Sequence, residues 1–290
     1  FNSILNRLVL FCARFGYPMI GFDLATLAFQ HLGDGRRANE GAVICSELGA
    51  LYALSEPEAA LSLFRQGIDL AGDDCQRAYN ELDALVLQTL HLGQDLDTDG
   101  FDRLWRQSSN GRFSEVLTRG SLLRGSLCLR AGDLVGARHW TARTWTMVNL
   151  YHLKEFELPV LNDMLILSVL EGATAQAKRQ LAAFVTEFDA LVEQREAMTQ
   201  LVGQTLDACL TAAKKLPVEP STLVRPAAAP GHCGVFFGLW RNVMAIAPTL
   251  GMPELGEKHG PQPKWLLPAA PASVHRRVQW GDLALEVGAY

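Results

Sequence analysis

Apolar positions recur with helical spacing over residues 1–216, and short polar turns interrupt the pattern at intervals. Side chains that repeat at i, i+3, i+4 and i+7 are typical of an amphipathic helix with one buried face. The pattern predicts first helices over 3–14, 41–53, 77–91, 114–130 and 158–171, and second helices over 18–31, 57–70, 99–108, 134–148 and 174–192. The segment 198–215 predicts one more amphipathic helix, which ends before Pro217 and would cap the stack.

The breaks between first and second helices are regularly spaced. They fall at Gly16, Ser55, Gly93, Gly132 and Gly172, so that successive breaks differ in residue number by 39, 38, 39 and 40. A fixed period in this range is the sequence signature of a stacked repeat array. The alternative is a helical bundle whose glycines coincide in spacing. Five residues after the breaks stand Gly21, Ala60, Thr98, Ala137 and Ala177, and the four small ones predict close packing within each hairpin.

The residues around two of these breaks carry a family resemblance. The segment Gly125–Cys128, followed by Gly132, Asp133 and Ala137, resembles a tetratricopeptide (TPR) repeat, and Leu48–Tyr52 with Ala60 and Phe64 is similar to it. The resemblance covers roughly residues 1–190, with a period of about 39 residues instead of the usual 34. The longer period is similar to that of helical repeats in sensor arms of bacterial regulators and signal-transduction ATPases. The resemblance implies an all-α superhelical array of about five helix-turn-helix repeats, with a capping helix and an irregular C-terminal tail.

Proline divides the chain into two parts. Pro18, Pro57 and Pro159 lie before residue 217, whereas the other ten of the 13 prolines lie between Pro217 and Pro271. This distribution predicts a TPR-like helical-repeat domain over 1–216 and a Pro/Gly-rich tail over 217–290. Within the tail, 235–247 predicts a short helix and 278–287 predicts a small hairpin or an extended strand.

Composition narrows the class of protein. The chain has 290 residues, of which 49% are hydrophobic and 20% charged, and its net charge of -5 gives no general reason to expect nucleic-acid binding. Every apolar run is too short for a membrane-spanning helix, so no membrane span is expected. Four of the six cysteines lie inside apolar helical patterns and no CxxC pair occurs, which predicts a reduced, cytoplasmic chain. Because the sequence begins with Phe1, we expect a cut fragment or a processed chain, whose neighbouring domain could hold an activity.

Catalytic and metal-binding motifs give little support for an enzyme. The sequence contains no G-x-S-x-G, HExxH, Walker or dinucleotide-binding motif. His232, Cys233, His259 and His275 are irregularly spaced and lack a paired ligand motif, so no metal or cofactor is expected. One alternative is nevertheless an enzyme or ligand-binding site that the tail forms over the groove, with His232, Cys233 and His259 as its residues.

Charge is distributed unevenly along the chain. Residues 20–100 hold 14 acidic and 4 basic side chains, a balance of -10. Residues 101–145 hold eight arginines and three acidic residues, a balance of +5: Arg103, Arg106, Arg112, Arg119, Arg124, Arg130, Arg138 and Arg143 against Asp102, Glu115 and Asp133. Arginine suits bidentate contacts with carboxylates and phosphates. This stretch, here called the arginine band, predicts an acidic partner, and the alternative is an ordinary solvated surface.

The TPR resemblance also implies where a partner would bind, because first helices line the concave surface of such arrays. It places there Asn6, Arg14, Asn80, Asp83, His91, Arg119, Ser126, Arg130 and Asn162, and Trp145 is a further contact candidate. Asparagine amides can bind a peptide backbone, and arginines can hold its carboxylates. We therefore expect a protein-interaction module that binds a peptide or protein segment in a regulatory, signalling or assembly complex. A self-association scaffold, in which the acidic half of one chain meets the arginine band of another, is the remaining alternative.

Overall fold

A computed structural model describes residues 8–9, 22, 24–28, 37–53, 56–191, 193, 239 and 243–252. These residues form helices and their connections, and none of them forms a strand. The predicted all-α class is therefore confirmed for this part of the chain. Of the first predicted hairpin, the described residues 8–9, 22 and 24–28 are helical. The predicted capping helix and the predicted hairpin over 278–287 lie outside the described residues.

The helices follow one another with short connections. They are α1 (Arg37–Tyr52), α2 (Pro57–Leu70), α3 (Asp74–Val86), α4 (Thr98–Gly111), α5 (Ser114–Arg130), α6 (Leu134–Tyr151), α7 (Glu157–Leu170) and α8 (174–191). A π-helical turn, Leu87–His91, extends α3, a 3-10 turn, Lys154–Phe156, precedes α7, and another follows at Ala247–Leu250. The predicted bounds of α2 and α5 are confirmed to the residue, and α6 continues to Tyr151, beyond its predicted end at 148. The apolar spacing thus located the helices well.

Aspartates begin three of these helices. The side chain of Asp73 accepts a hydrogen bond from the backbone N–H of Gln76 at 2.8 Å. The side chain of Asp133 accepts one from the backbone N–H of Gly136 at 2.9 Å. Asp97 accepts one from the amide of Gly100 at 3.0 Å. Each carboxylate satisfies an amide that the first helical turn leaves without a backbone partner. The Gly-Asp pair at 132–133 therefore combines the end of one helix with the cap of the next.

Left-handed glycines mark the breaks between first and second helices. Gly93, Gly132 and Gly172 have φ angles of 66°, 71° and 69°, and they recur with the period that the sequence predicted. At Gly132 the amide of Asp133 donates to the Cys128 carbonyl at 2.9 Å, which closes a Schellman motif. A β-carbon on any of the three glycines would meet no atom within 4 Å. The preference for glycine at these positions therefore comes from the left-handed backbone alone.

Two of the second helices, α4 and α6, end in the same geometry but without glycine. Arg112 and His152, which are one repeat period apart, have φ angles of 56° and 55°. The amide of Phe113 donates to the Ser108 carbonyl at 2.9 Å, and that of Leu153 donates to the Val148 carbonyl at 3.0 Å. The period is therefore repeated at both ends of the hairpins, with two non-glycine residues in a conformation that favours glycine.

The helices fall into two compact units. The first comprises Phe1–Phe101, Val192–Phe237 and Leu267–Val274, and in it α1 packs along α2. An ideal β-carbon on Gly49 would overlap the ring of Phe64, so the two helices approach closely at this point. Tyr52 and Ala60, beside them, are fully buried. The predicted boundary between 216 and 217 lies outside the described residues.

The second unit comprises Asp102–Leu191, Gly238–Leu266 and His275–Tyr290, and in it α5 packs along α6. A β-carbon on Gly125 would lie 3.3 Å from the hydroxyl of Thr141, which again places a first-helix glycine against a second helix. Val148, Leu153, Phe156 and Val160 form a buried cluster at the α6–α7 connection. The glycines of the TPR resemblance, Gly49 and Gly125, thus occupy close contacts in both units.

Three of the four predicted small-residue positions are confirmed as buried, and the position of Thr98, which is not a small residue, differs from them. Ala60, Ala137 and Ala177 are fully buried, each as the fourth residue of its helix. Thr98 is exposed because the connection after Gly93 is longer and α4 begins only at Thr98. The fourth residue of α4 is Phe101, which is buried. Gly21 lies outside the described residues.

Candidate functional site

Four of the polar first-helix positions predicted to line a groove are buried. Asn80, Asp83, Ser126 and Asn162 are no more than 2% exposed. In the first unit, Ser46 of α1 donates a hydrogen bond to Asp83 of α3 at 2.9 Å. The side-chain amide of Asn80 donates a hydrogen bond to the Ala42 backbone carbonyl at 3.3 Å, again between α3 and α1. These side chains therefore join consecutive first helices in the described structure.

A second Ser–Asp pair recurs in the other unit. Ser126 of α5 lies 3.1 Å from the Asp163 carboxyl of α7, and its hydroxyl also lies 2.9 Å from the Leu122 carbonyl. Burial raises the pKa of Asp163 to about 8, although hydrogen bonds from Ser126 and Asn162 lower it. Ser126 has one proton and two acceptors within reach. When Ser126 donates this proton to the Asp163 carboxyl, the bond stabilises the ionised form of that carboxyl.

The other predicted contact residues lie in more open environments. Arg130 is exposed, and Arg119, His91 and Trp145 are half-buried. Trp145 packs against the buried cluster around Val148, so much of its ring belongs to the core of the second unit. Asn6 and Arg14 lie outside the described residues. The binding role of the whole set stays a prediction, and Arg130 is its most accessible described member.

A tryptophan–arginine cluster was not predicted as a site. The rings of Trp105 in α4 and Trp140 in α6 meet edge to face with centroids 5.6 Å apart. The Arg143 guanidinium lies 4.9 Å from the Trp105 ring centroid and 5.5 Å from that of Trp140. His139 packs edge-on against Trp140 at 5.3 Å. Only the i, i+3 spacing of Trp140 and Arg143 signals this cluster in the sequence, and Trp105 comes from a different helix.

The arginine band is largely exposed in the described residues. Six of its eight arginines are exposed, whereas Arg119 and Arg124 are half-buried. Arg124 forms an ion pair with Asp102 at 3.3 Å, and Arg138 forms one with Glu171. Asp133 caps α6 through its own carboxylate. The three acidic residues within the band are too few to neutralise it.

In the second unit, acidic side chains influence one another's pKa values, and one of them, Glu115, belongs to the arginine band. Burial, and secondly the charge of Glu155, raises the pKa of Glu115 at the start of α5. Burial also raises the pKa of Glu157 at the start of α7, and Glu187 of α8 adds to the effect.

The described cysteines are free thiols. Cys45 is buried, Cys75 is exposed and Cys128 is half-buried. Burial raises the pKa of Cys45 to about 12, which makes it an unreactive core residue. Within the described ranges, no three His, Cys, Asp or Glu side chains are arranged to hold a metal ion. His232, Cys233, His259 and His275 lie outside these ranges.

None of the helices in the described part of the chain combines the length and the apolar character that a bilayer span requires. Comparisons with protein-family models, curated proteins and solved structures give no match. The likeness to TPR proteins thus rests on the residues of this chain alone.

Proposed function

We propose that the chain is a TPR-like superhelical module that binds an acidic segment of a partner protein in the cytoplasm. The recurrent left-handed turns, and the glycine contacts of α1 with α2 and of α5 with α6, support the array. In this proposal the module contributes to a regulatory, signalling or assembly complex. Its role in such a complex is recognition of the partner.

The arginine band is the observation that carries the proposal. Eight arginines and three acidic residues between 101 and 145 leave a local surplus of positive charge in a chain whose net charge is -5. Arginine is more weakly hydrated than lysine and offers a planar fork of donors that matches a carboxylate. An exposed surplus of this residue favours an acidic peptide over a neutral one.

Peptide titration tests this function directly. The full chain is titrated into a fluorescent peptide rich in Glu and Leu, and in parallel into a peptide with Gln in place of every Glu. We expect the acidic peptide to bind more tightly, and its affinity to fall from about 0.02 M to about 0.5 M salt because exposed charges are screened. Equal affinity for the two peptides, or no measurable binding of either, would refute acidic-segment recognition.

Self-association is a second function that the charge distribution favours. The balance of -10 over 20–100 could meet the arginine band of another copy. Oligomers that form at low salt and dissociate at high salt in light scattering would support it. A molecular mass of one chain at every salt concentration would count against it.

A further inference from the structure

The outer face of α6 combines exposed apolar and cationic side chains. Among the described residues, the exposed large hydrophobic side chains are Val135, Leu150 and Tyr151, with 74%, 65% and 46% exposure, and all three belong to this helix. The opposite side of α6 is buried through Ala137 and Val148. Because the inner face of α6 is already packed, these apolar side chains remain accessible for contact with a partner.

The same face carries positive charge and no negative charge. The sequence of α6, LVGARHWTARTWTMVNLY, contains no Asp or Glu. Arg138, His139 and Arg143 are exposed on it, and Arg138 pairs with Glu171 of the following hairpin. Arg143 therefore provides the main charge that an incoming carboxylate would meet near the middle of the helix.

The tryptophans hold Arg143 in a defined place. Its guanidinium lies 4.9 Å and 5.5 Å from the ring centroids of Trp105 and Trp140, distances at which cation–π attraction operates. The aromatic contacts restrict the arginine while its N–H edges can still donate. Less conformational entropy is then lost when a bidentate carboxylate contact forms.

We propose that the outer face of α6, here defined by Val135, His139, Arg143 and Leu150, docks an acidic amphipathic segment of a partner protein. This proposal rests on the proposed function and assigns its binding surface to a second helix. The partner would place one or more carboxylates over Arg143 and an apolar residue near each end. The separation of Val135 and Leu150 in the sequence corresponds to about 22 Å along a helix.

The spacing favours a peptide over a membrane surface. Between Val135 and Leu150 the exposed positions include Ala142, Thr146 and Asn149, so the apolar contacts are separate and do not form a continuous stripe. A helix that inserts into a lipid interface presents a continuous apolar face. Two spaced apolar contacts with a central cation match instead a short segment with apolar side chains near its ends and acidic side chains between them.

Two peptides of identical composition provide the probes. Each has about 18 residues, enough for about 27 Å of helix. The first places Leu near both ends and Glu between them, whereas the second gathers its Leu residues at the centre. Anisotropy measures their binding to the full chain, and we expect the first to bind more tightly because its spacing matches α6.

Substitutions on the outer face of α6 test whether the peptide binds there. Arg143→Glu is expected to lower the affinity for the first peptide by about 10-fold to 100-fold, since it replaces a charge-assisted hydrogen bond with repulsion. Arg143→Lys keeps the charge but loses the planar contact, so a smaller loss is expected. The double substitution Val135→Ser and Leu150→Ser should also weaken binding, and both positions lie outside the core. Arg65→Glu, at an exposed position of α2, is the matched control and should leave binding unchanged.

The outcomes separate this proposal from the proposed function. If the acidic peptide binds but neither the Arg143 nor the apolar variants weaken it, the α6 surface is wrong and acidic recognition survives. If the Gln peptide binds equally well, or nothing binds, both proposals fail. Stronger binding to phosphatidylserine vesicles than to the peptide would overturn the surface in favour of a membrane. Dimers that Arg143→Glu dissociates and the peptide does not would assign the surface to a second copy.

Discussion

Among single residues, the buried Asp163 carboxyl has the clearest effect on how stability depends on pH. Folding raises its pKa to about 8, whereas a carboxyl in an unfolded chain ionises near pH 4. Between these values the folded state keeps a proton that the unfolded state has released. The unfolded state therefore binds fewer protons, and stability falls as the pH rises through this interval.

We predict that Asp163→Asn removes this pH dependence. Between pH 5 and 7 the free energy of unfolding of the unmodified chain should fall relative to the Asn variant, by up to about 1.4 kcal/mol per pH unit. Urea unfolding at several pH values measures the difference. Parallel pH profiles for the two proteins would show that Asp163 ionises as readily in the folded chain as in the unfolded one.

Ser126→Ala serves as the control for this measurement. The hydrogen bond from Ser126 lowers the pKa of Asp163, so its loss should raise that pKa further. The fall in stability should then continue to higher pH than in the unmodified chain. A variant that merely loosened the core would lower stability equally at every pH.

Ala137 tests the close approach of α5 and α6. The residue is fully buried, and neighbouring Gly136 would place a β-carbon 2.8 Å from the sulfur of Cys128. We predict that Ala137→Leu overpacks this contact and lowers the free energy of unfolding by about 1–3 kcal/mol, as measured by chemical denaturation. Ala142→Leu, on the exposed side of the same helix, should change it by less than about 0.5 kcal/mol. Similar small effects of both substitutions would place Ala137 outside the contact.

At the scale of helices, the ends of α4 and α6 carry strain that the breaks between first and second helices avoid. Arg112 and His152 adopt left-handed φ angles of 56° and 55°. A left-handed conformation costs a non-glycine residue about 1–2 kcal/mol. Substitution with glycine recovers only part of this as stability, because glycine also gives the unfolded chain more conformational freedom. We predict that Arg112→Gly and His152→Gly each stabilise the protein by about 0.5–1 kcal/mol in thermal or chemical unfolding.

Gly132→Ala is the reciprocal control. Gly132 has a φ of 71° with open space around its β-position, so the substitution changes backbone energy without a clash. It should destabilise by about 1 kcal/mol. If all three substitutions act in the same direction, left-handed geometry does not explain the difference between the two kinds of helix end.

The helices were more predictable than the surroundings of their polar residues. Apolar spacing and the breaks at Ser55 and Gly132 located α2, α5 and α6 because each signal is local. The π-helical turn at Leu87–His91 was not predicted, because its apolar spacing resembles that of the α-helix it extends. The burial of Asn80 and Asn162 depends on the neighbouring helices, so a helical pattern could not distinguish a groove from an interface between helices.

At the scale of the molecule, the two compact units have separate sets of buried residues. The first contains Tyr52 and Phe64 among its fully buried side chains, and the second contains Phe184. Units with their own cores can unfold as separate cooperative units. The regular spacing of the breaks in the sequence did not indicate where such a division would fall, because every hairpin has the same local signals.

Tryptophan fluorescence can distinguish the units, since the described tryptophans, Trp105, Trp140 and Trp145, all lie in the second one. A variant with Phe at positions 240, 265 and 280 leaves these three as the only indole probes. We predict that its fluorescence transition in urea differs from the transition of helical circular dichroism, which reports both units. Ala137→Leu should shift the fluorescence transition and only part of the dichroism change. Coincident transitions that move together would mean that the repeat hairpins unfold as one cooperative array.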